Sequence, residues 1–138
     1  MNRPPATDWA TVQEFEAAVR SIFSFLVSEY GFTQPRVEQW KDREINIRFD
    51  HPDRCVAVSY EVPGGVAAGM HQIVHGGPEK PGLNLQTVLE LMREHEPVLY
   101  KDHKAAIATK QNLEKLLKEQ AQVMRRYAGE FLAGGPLI

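Results

Sequence analysis

The spacing of apolar residues changes along the chain, and each change marks a new kind of secondary structure. Between residues 15 and 30, apolar side chains recur every three or four positions, which is the period of an amphipathic helix. We predict one helix over about residues 8–30, ended by Gly31, because glycine adopts the left-handed C-terminal conformation at little cost. The candidates for its N-terminal cap are Thr7, Asp8, and Thr11 in a capping box with Glu14.

After this helix the apolar period falls to two, which is typical of strands with one face in water. Residues 32–40 predict a first strand, which Pro35 restricts to the sheet edge or to the residues that follow it. Residues 44–50 and 56–60 predict two further strands joined by a short turn, and therefore an antiparallel hairpin. A fourth strand, over about residues 66–74, lies within a glycine- and proline-rich segment.

Two helices are predicted to follow the strands. Asn84 can cap a short helix that ends before Pro97. A longer helix is predicted over about residues 102–132, and at 1.5 Å per residue it would be roughly 45 Å long. A seven-residue strand reaches only about 23 Å. Part of this helix is therefore expected to overhang, to pack on the short helix, to bend, or to meet a second copy of the chain in a homodimer.

The predicted order of elements indicates the fold class. Because the amphipathic helices at the two chain ends are the available cover for one face of the strands, we predict a two-layer α+β sandwich. It would have an N-terminal helix, a three- to four-stranded antiparallel meander and two C-terminal helices. With 138 residues, 43% of them apolar, the chain has the size of a single domain, residues 1–138, with residues 1–7 as a disordered tail.

The charge balance argues against nucleic acid as a partner. The chain carries 16 Lys and Arg against 18 Asp and Glu, for a net charge of −2. Binding to a phosphate backbone needs clustered cations, and here the only adjacent cationic pair is Arg125 and Arg126. No apolar stretch approaches the roughly 20 residues that cross a bilayer. We therefore expect neither nucleic acid nor a membrane as a partner.

Cysteine usage and the N-terminal sequence point to a cellular compartment. Cys55 is the single cysteine, so it cannot form an internal disulfide, and an isolated thiol in an apolar strand usually behaves as a small buried hydrophobe. The first 16 residues lack an apolar run and include acids, unlike a signal or transit peptide. We expect a soluble cytoplasmic protein.

Histidines are the candidates for acid–base or metal chemistry. His71 and His75 have the spacing that lets two imidazoles share a zinc ion on a helix, but in a strand residues four apart lie about 13 Å from one another. His95 and His103 lie among acids around a predicted interhelix loop, where general acid or base work needs a carboxylate within hydrogen-bond reach. We predict no metal site and keep these four histidines as an alternative pocket.

Motifs for covalent catalysis and for cofactor binding are missing from the sequence. It contains no G-x-S-x-G elbow, no P-loop and no dinucleotide fingerprint. Cys55 has neither a helix N-terminus nor a flanking histidine to activate its thiol. We therefore expect no cofactor.

A turn of mixed charge is the candidate interaction surface. Trp40, Lys41, Asp42 and Arg43 combine an aromatic residue with an arginine, the composition found at interaction hot spots. The alternative is that Trp40 packs under the edge of the sheet. We predict these four residues as a partner-binding surface.

Several phrases of the sequence resemble small uncharacterised bacterial proteins, including immunity-type proteins encoded beside polymorphic toxins. The phrases are FEAAVRSIFSFLVSEYGF, REINIRF, VAVSYEV and LLKEQAQVMRRYAGEFLAGG, which fall within about residues 12–135. They carry no catalytic signature, so the resemblance transfers no functional residue. It implies a domain that binds another protein, such as a toxin, and blocks it.

Two functions of different classes therefore remain open. The first is a non-catalytic protein-interaction domain, which is favoured by the missing catalytic motifs, the Trp40 turn and the resemblance. The second is a small enzyme or ligand-binding domain, in which a histidine and a carboxylate meet in a pocket between sheet and helices.

Overall fold

Helices flank an antiparallel sheet in the computed structural model of the protein. The structure describes residues 4–41, 43–74 and 82–135, and it describes residues 39–41, 73–74 and 82–84 by their backbone alone. The elements in chain order are a 3-10 helix (Ala6–Asp8), α1 (Val12–Ile22), α2 (Phe25–Tyr30), β1 (Arg36–Lys41), β2 (Glu44–His51), β3 (Arg54–Glu61), β4 (Val66–Val74), β5 (Gly82–Thr87), α3 (Val88–His95), α4 (Pro97–Lys104), α5 (Leu113–Tyr127) and α6 (Gly129–Leu132).

The predicted α+β class is confirmed, with a meander that has five strands where three to four were expected. The additional strand is β5, because the start of the predicted short helix pairs instead with β4, Asn84 lying opposite Gln72. Helix α3 begins after Thr87, which forms a capping box with Glu90. A short apolar run can form either a helix or a strand. Here it forms a strand because its backbone pairs with β4.

The predicted first helix is divided in two. Its capping box at Thr11 and Glu14 is confirmed, but α1 and α2 are separated at Phe23 and Ser24. Phe23 and Phe25 are both buried, with ring centroids 6.0 Å apart. Residues two apart in a regular helix point to nearly opposite sides, so the break lets both rings enter the core.

The predicted 30-residue C-terminal helix is wrong, because α4 and α5 are separated by residues 105–112. Among the contacts that hold this connection, Ala108 N–H donates to Gly64 O at 2.7 Å, and Ala10 N–H donates to Ala108 O at 3.2 Å. Helix α5 has 15 residues and is about 22 Å long, which matches the sheet. The overhang that favoured a homodimer is therefore not present.

The register of the sheet sorts its side chains onto two faces. Ile47, Val58 and Ala68 lie side by side on β2, β3 and β4, and they belong to the buried core with apolar residues of the helices. We call this side the covered face. The other side, the open face, contributes no residue to the described core.

A buried arginine connects the β2–β3 turn to the end of α6. Arg54 is 2% exposed, and its guanidinium donates to the carbonyl oxygens of Phe131, Gly134 and Gly135 at 2.5, 3.0 and 2.7 Å. The same group makes two 2.8 Å hydrogen bonds to the Asp53 carboxylate. These contacts satisfy the unpaired carbonyls at the helix end, where a cation is also favoured by the helix dipole.

We expect Arg54→Met to lower the free energy of unfolding by about 3 kcal/mol, because three carbonyls and a carboxylate lose their donor. Equilibrium unfolding in urea measures the loss. Arg48→Met is the matched control, since Arg48 pairs with Asp50 on the open face and is one-third exposed. The control should lose no more than about 1 kcal/mol. Equal losses in the two variants would contradict the structural role of Arg54.

Asp53 should make the free energy of unfolding depend on pH in the acidic range. Hydrogen bonds from Arg54 hold the pKa of the Asp53 carboxyl well below its usual range. Its contribution is therefore present above the unfolded pKa of about 4 and is lost as the pH falls further. Between about pH 6 and about pH 3, Asp53→Asn should lose less unfolding free energy than the unchanged protein. Asp102→Asn, at an exposed position, is the control. It should lose as much unfolding free energy over this pH range as the unchanged protein.

Candidate functional site

The open face holds a hollow along its two central strands. It has a volume of about 490 Å³. Four small residues form its floor: Ala57 and Ser59 on β3, and Ala67 and Gly69 on β4. The other open-face residues around it are Glu44, Asn46, Glu61, His71, Leu85 and Thr87.

The depth of the hollow follows from the cross-strand pairing. Ala57 lies opposite Gly69, and Ser59 lies opposite Ala67, so two adjacent pairs are small on both strands. Longer side chains stand on either side, from β2 and from β5. Alanine and glycine are disfavoured in strands, and a glycine there often marks the close approach of a ligand or another backbone.

The two ends of the hollow differ in charge. Glu44 and Glu61 are direct cross-strand neighbours at one end. His71 lies at the other end, where burial, with a smaller effect of nearby Arg48, lowers the pKa of its imidazole and leaves it uncharged at neutral pH. Leu85, which is 49% exposed, pairs with His71 and completes that end.

Cys55 lies beside His71 on the same face, as its direct cross-strand neighbour. The thiol is buried, as predicted, and burial raises its pKa. A thiol with a raised pKa next to an uncharged imidazole is a poor nucleophile at neutral pH. The pair does not form an activated cysteine.

The predicted partner-binding turn borders the acidic end of the hollow. Lys41 pairs with Glu44 through the backbone, and Arg43 is exposed, its carbonyl accepting from Val62 N–H at 2.8 Å. Trp40 and Lys41 are described by backbone only, and Asp42 lies outside the described residues. The turn and the hollow therefore adjoin, and partner binding by the turn stays a prediction.

The histidines of the alternative pocket are on separate parts of the structure. His71 lines the hollow, whereas His95 stacks on Tyr127 at the end of α3, with ring centroids 4.3 Å apart. His103 is buried on α4, and His75 lies outside the described residues. The space between sheet and helices, where that pocket was expected, is packed with apolar side chains.

His103 does have a carboxylate partner, but its second nitrogen is occupied. Nε2 lies 3.0 Å from the Glu119 carboxylate, and Nδ1 lies 3.4 Å from the side-chain nitrogen of Gln120. The backbone of β4 bonds to both the oxygen and the nitrogen of the Gln120 side-chain amide, so this amide has one orientation and its nitrogen is a donor. His103 Nδ1 must therefore accept a hydrogen bond, which leaves the Nε2 proton for Glu119. This pair orients a buried helix contact and offers no free base.

Gln120 supplies the hydrogen bonds that β5 would make if it were longer. Its amide donates to Val66 O at 2.7 Å and accepts from Ala68 N–H at 2.8 Å. The pairing of β4 with β5 stops at Gly69 and Thr87, so none of the described strands pairs with this stretch of β4 on that side. Gln120 is fully buried at this position of α5.

Among the described residues, no three His, Cys, Asp or Glu side chains lie close enough together to hold a metal ion. None of the described helices combines the length and the apolar character needed to cross a bilayer.

No motif in the sequence marks the floor of the hollow. The apolar period predicts the strands that carry Ala57, Ser59, Ala67 and Gly69, but none of these four residues has the pattern of a reactive site. The available signal was the occurrence of small residues at the solvent-facing positions of two consecutive strands. Only the register shows that these positions are adjacent.

We expect Gln120→Met to lower the free energy of unfolding by about 2 kcal/mol, because it leaves a buried N–H and a buried carbonyl of β4 unpaired. Thermal or urea unfolding measures the change. Gln122→Met, at an exposed position of the same helix, is the control and should stay within about 0.5 kcal/mol of the unchanged protein. A loss no larger than that of the control would mean that Gln120 does not stabilise β4.

Comparisons of this chain with protein-family models, with curated proteins and with solved structures find no match. The geometry of the open face is therefore the basis on which a function is proposed.

Proposed function

We propose that this chain is a non-catalytic protein-binding domain, and that it holds a segment of its partner in the hollow and against the adjoining β1–β2 turn. One observation carries the proposal: the solvent-facing positions of two central strands are small, which leaves about 490 Å³ of space on the open face. Antiparallel sheets commonly leave one face in water, but that face is then normally filled by longer polar side chains.

The state of the reactive groups supports binding over catalysis. The Cys55 thiol has a raised pKa, and His103 accepts a hydrogen bond from Gln120 in a buried position. Neither of these two groups offers a nucleophile or a base to a molecule seated in the hollow. His71 does line the hollow, but the two glutamates of the lining lie at the opposite end from it. A surface that combines space, exposed Leu85 and charged edges instead has the mixed character of a protein interface.

The sequence resemblance supports a specific form of binding. Immunity-type proteins act by occupying a partner, and a rigid sheet face with a preformed hollow binds without an ordering cost. We propose that this domain blocks a partner protein, such as a toxin, by covering it with the open face. The cytoplasmic location expected from the single cysteine stays a prediction.

A small-molecule site in the same hollow is the second candidate. Its volume lies within the roughly 300–1,000 Å³ of ligand pockets, and His71 and Glu61 contribute polar groups to its lining. A small molecule bound in the hollow and a protein partner would give different experimental results. The small-molecule candidate predicts a rise in melting temperature with fractions of small metabolites and no stoichiometric protein partner.

The protein-binding proposal is tested by filling the hollow. Ala67→Tyr places a large side chain on the floor, and because tyrosine is favoured in strands we expect the fold to persist. Tagged protein is used to capture partners from lysate of cells that produce it, with stoichiometry read by mass spectrometry. The amount of partner captured by Ala67→Tyr should be at least about tenfold lower than the amount captured by the unchanged chain, as expected when an interaction hot spot is lost.

Gln122→Tyr introduces the same side chain at an exposed position of α5 and should capture the partner normally. The double variant Trp40→Ala with Arg43→Ala tests the turn, and we expect a loss of about 2 kcal/mol or more in binding free energy. Equal capture by the unchanged chain and by Ala67→Tyr would exclude the hollow as the binding site. Unchanged binding by the double variant would exclude the turn as part of the binding site and would not bear on the hollow.

A further inference from the structure

A buried hydrogen-bond network lies directly behind the floor of the hollow. Ala67, a floor residue of β4, stands between Val66 and Ala68. The side-chain amide of Gln120 donates to Val66 O at 2.7 Å and accepts from Ala68 N–H at 2.8 Å. The nitrogen of the same amide lies 3.4 Å from Nδ1 of His103 on α4. One amide therefore connects the floor of the hollow to a buried imidazole on the helical side.

This network is compatible with only one charge state of the imidazole. Because the Gln120 amide uses one N–H for Val66 O, its second N–H faces His103 Nδ1, which must offer a lone pair. An imidazolium carries a proton on both nitrogens, so two N–H groups would face each other. Turning the amide over would place its nitrogen against Ala68 N–H and its oxygen against Val66 O. No orientation of this amide satisfies both β4 and a charged His103.

Glu119 allows the buried imidazole to accept a proton. Its carboxylate lies 3.0 Å from His103 Nε2, and the two side chains are 26% and 1% exposed. A buried charge is tolerated when it is paired and hydrogen-bonded. An imidazolium at His103 would therefore keep its bond to Glu119 and lose its contact with Gln120.

Glu119 is the one titratable group, among the described residues, that bonds to this imidazole. His71 of β4 belongs to the open face, on the other side of the sheet. The other charged residues of α3, α4 and α5 are exposed or bonded to other groups, among them Glu90, Asp102, Lys104, Lys115 and Lys118. The charge state of His103 therefore depends on Glu119 and Gln120.

We infer that protonation of His103 releases Gln120 from β4 and weakens partner binding at the hollow, so that the domain holds its partner at neutral pH and releases it in acid. Val66 O and Ala68 N–H then lose the partner that the amide supplies, and none of the described strands replaces it. The floor residue between them is no longer held in the position that shapes the hollow. The inference rests on the proposed function, because it names the regulation of the same face.

The test follows hydrogen–deuterium exchange of single amides in the ¹⁵N-labelled full chain by two-dimensional NMR. The Ala68 amide reports the network directly, because it donates to Gln120. From about pH 7.5 to about pH 5, the range in which imidazoles change charge, its protection factor should fall at least about tenfold. The Val58 amide, on the strand paired with β4, should keep its protection factor over the same range.

His103→Gln removes the titrating group, so the protection of Ala68 should then be the same at both pH values. His95→Gln, at an exposed histidine of α3, is the matched control and should keep the fall. If His103→Gln does not fold, the unchanged protein decides, since the fall in Ala68 protection must have the same midpoint as the shifts of the His103 ring protons. The inference is overturned if Ala68 protection does not fall in acid, if His103→Gln retains the fall, or if the two midpoints differ.

Capture of the partner separates this inference from the proposed function. The unchanged chain should release at about pH 5 the partner that it captures at about pH 7.5, whereas His103→Gln should retain it. Release from both chains alike would overturn the inference and leave the binding function in place. If Ala67→Tyr captures as much partner as the unchanged chain, the proposed function itself fails, whether or not Ala68 responds to pH.

Discussion

The single register in which β2, β3 and β4 pair is the constraint on which the rest of this structure depends, because it places every side chain of the central sheet on one face or the other. Ile47, Val58 and Ala68 form one row on the covered face. A shift of one residue would send that row into solvent, so burial of the covered face against the helices holds the register in place. The same pairing brings the small residues of the open face together.

Two buried polar side chains connect the helical layer to this sheet at places where backbone pairing ends. Arg54 binds the carbonyls at the end of α6, and Gln120 binds β4 beyond the last residue paired with β5. Both satisfy backbone groups that would otherwise be buried without partners, which is costly in an apolar environment. These contacts give the helices a specific position on the sheet as well as apolar burial.

The two faces therefore have different physical roles. The covered face gains stability from apolar packing against the helices, where His103 of α4 uses its hydrogen bonds within the fold. The open face contains the small residues that form the hollow, together with two glutamates at one end.

The sequence by itself determined the α+β class, the hairpin of β2 and β3 and the bounds of β4, because these depend on local periodicity. It offered Thr7, Asp8 and Thr11 as caps of the first helix, and only the structure selects Thr11 with its capping box. The sequence did not determine the break between α1 and α2, the fifth strand or the division of the C-terminal helix. In each case contacts between distant residues override a local pattern, as when Ala108 bonds to Gly64 and Ala10.

The candidate site divides in the same way. The sequence shows that Ala57, Ser59, Ala67 and Gly69 are small and that Glu44 and Glu61 are charged. Only the tertiary structure makes them neighbours, because they come from three strands whose mutual register is decided by burial of the opposite face.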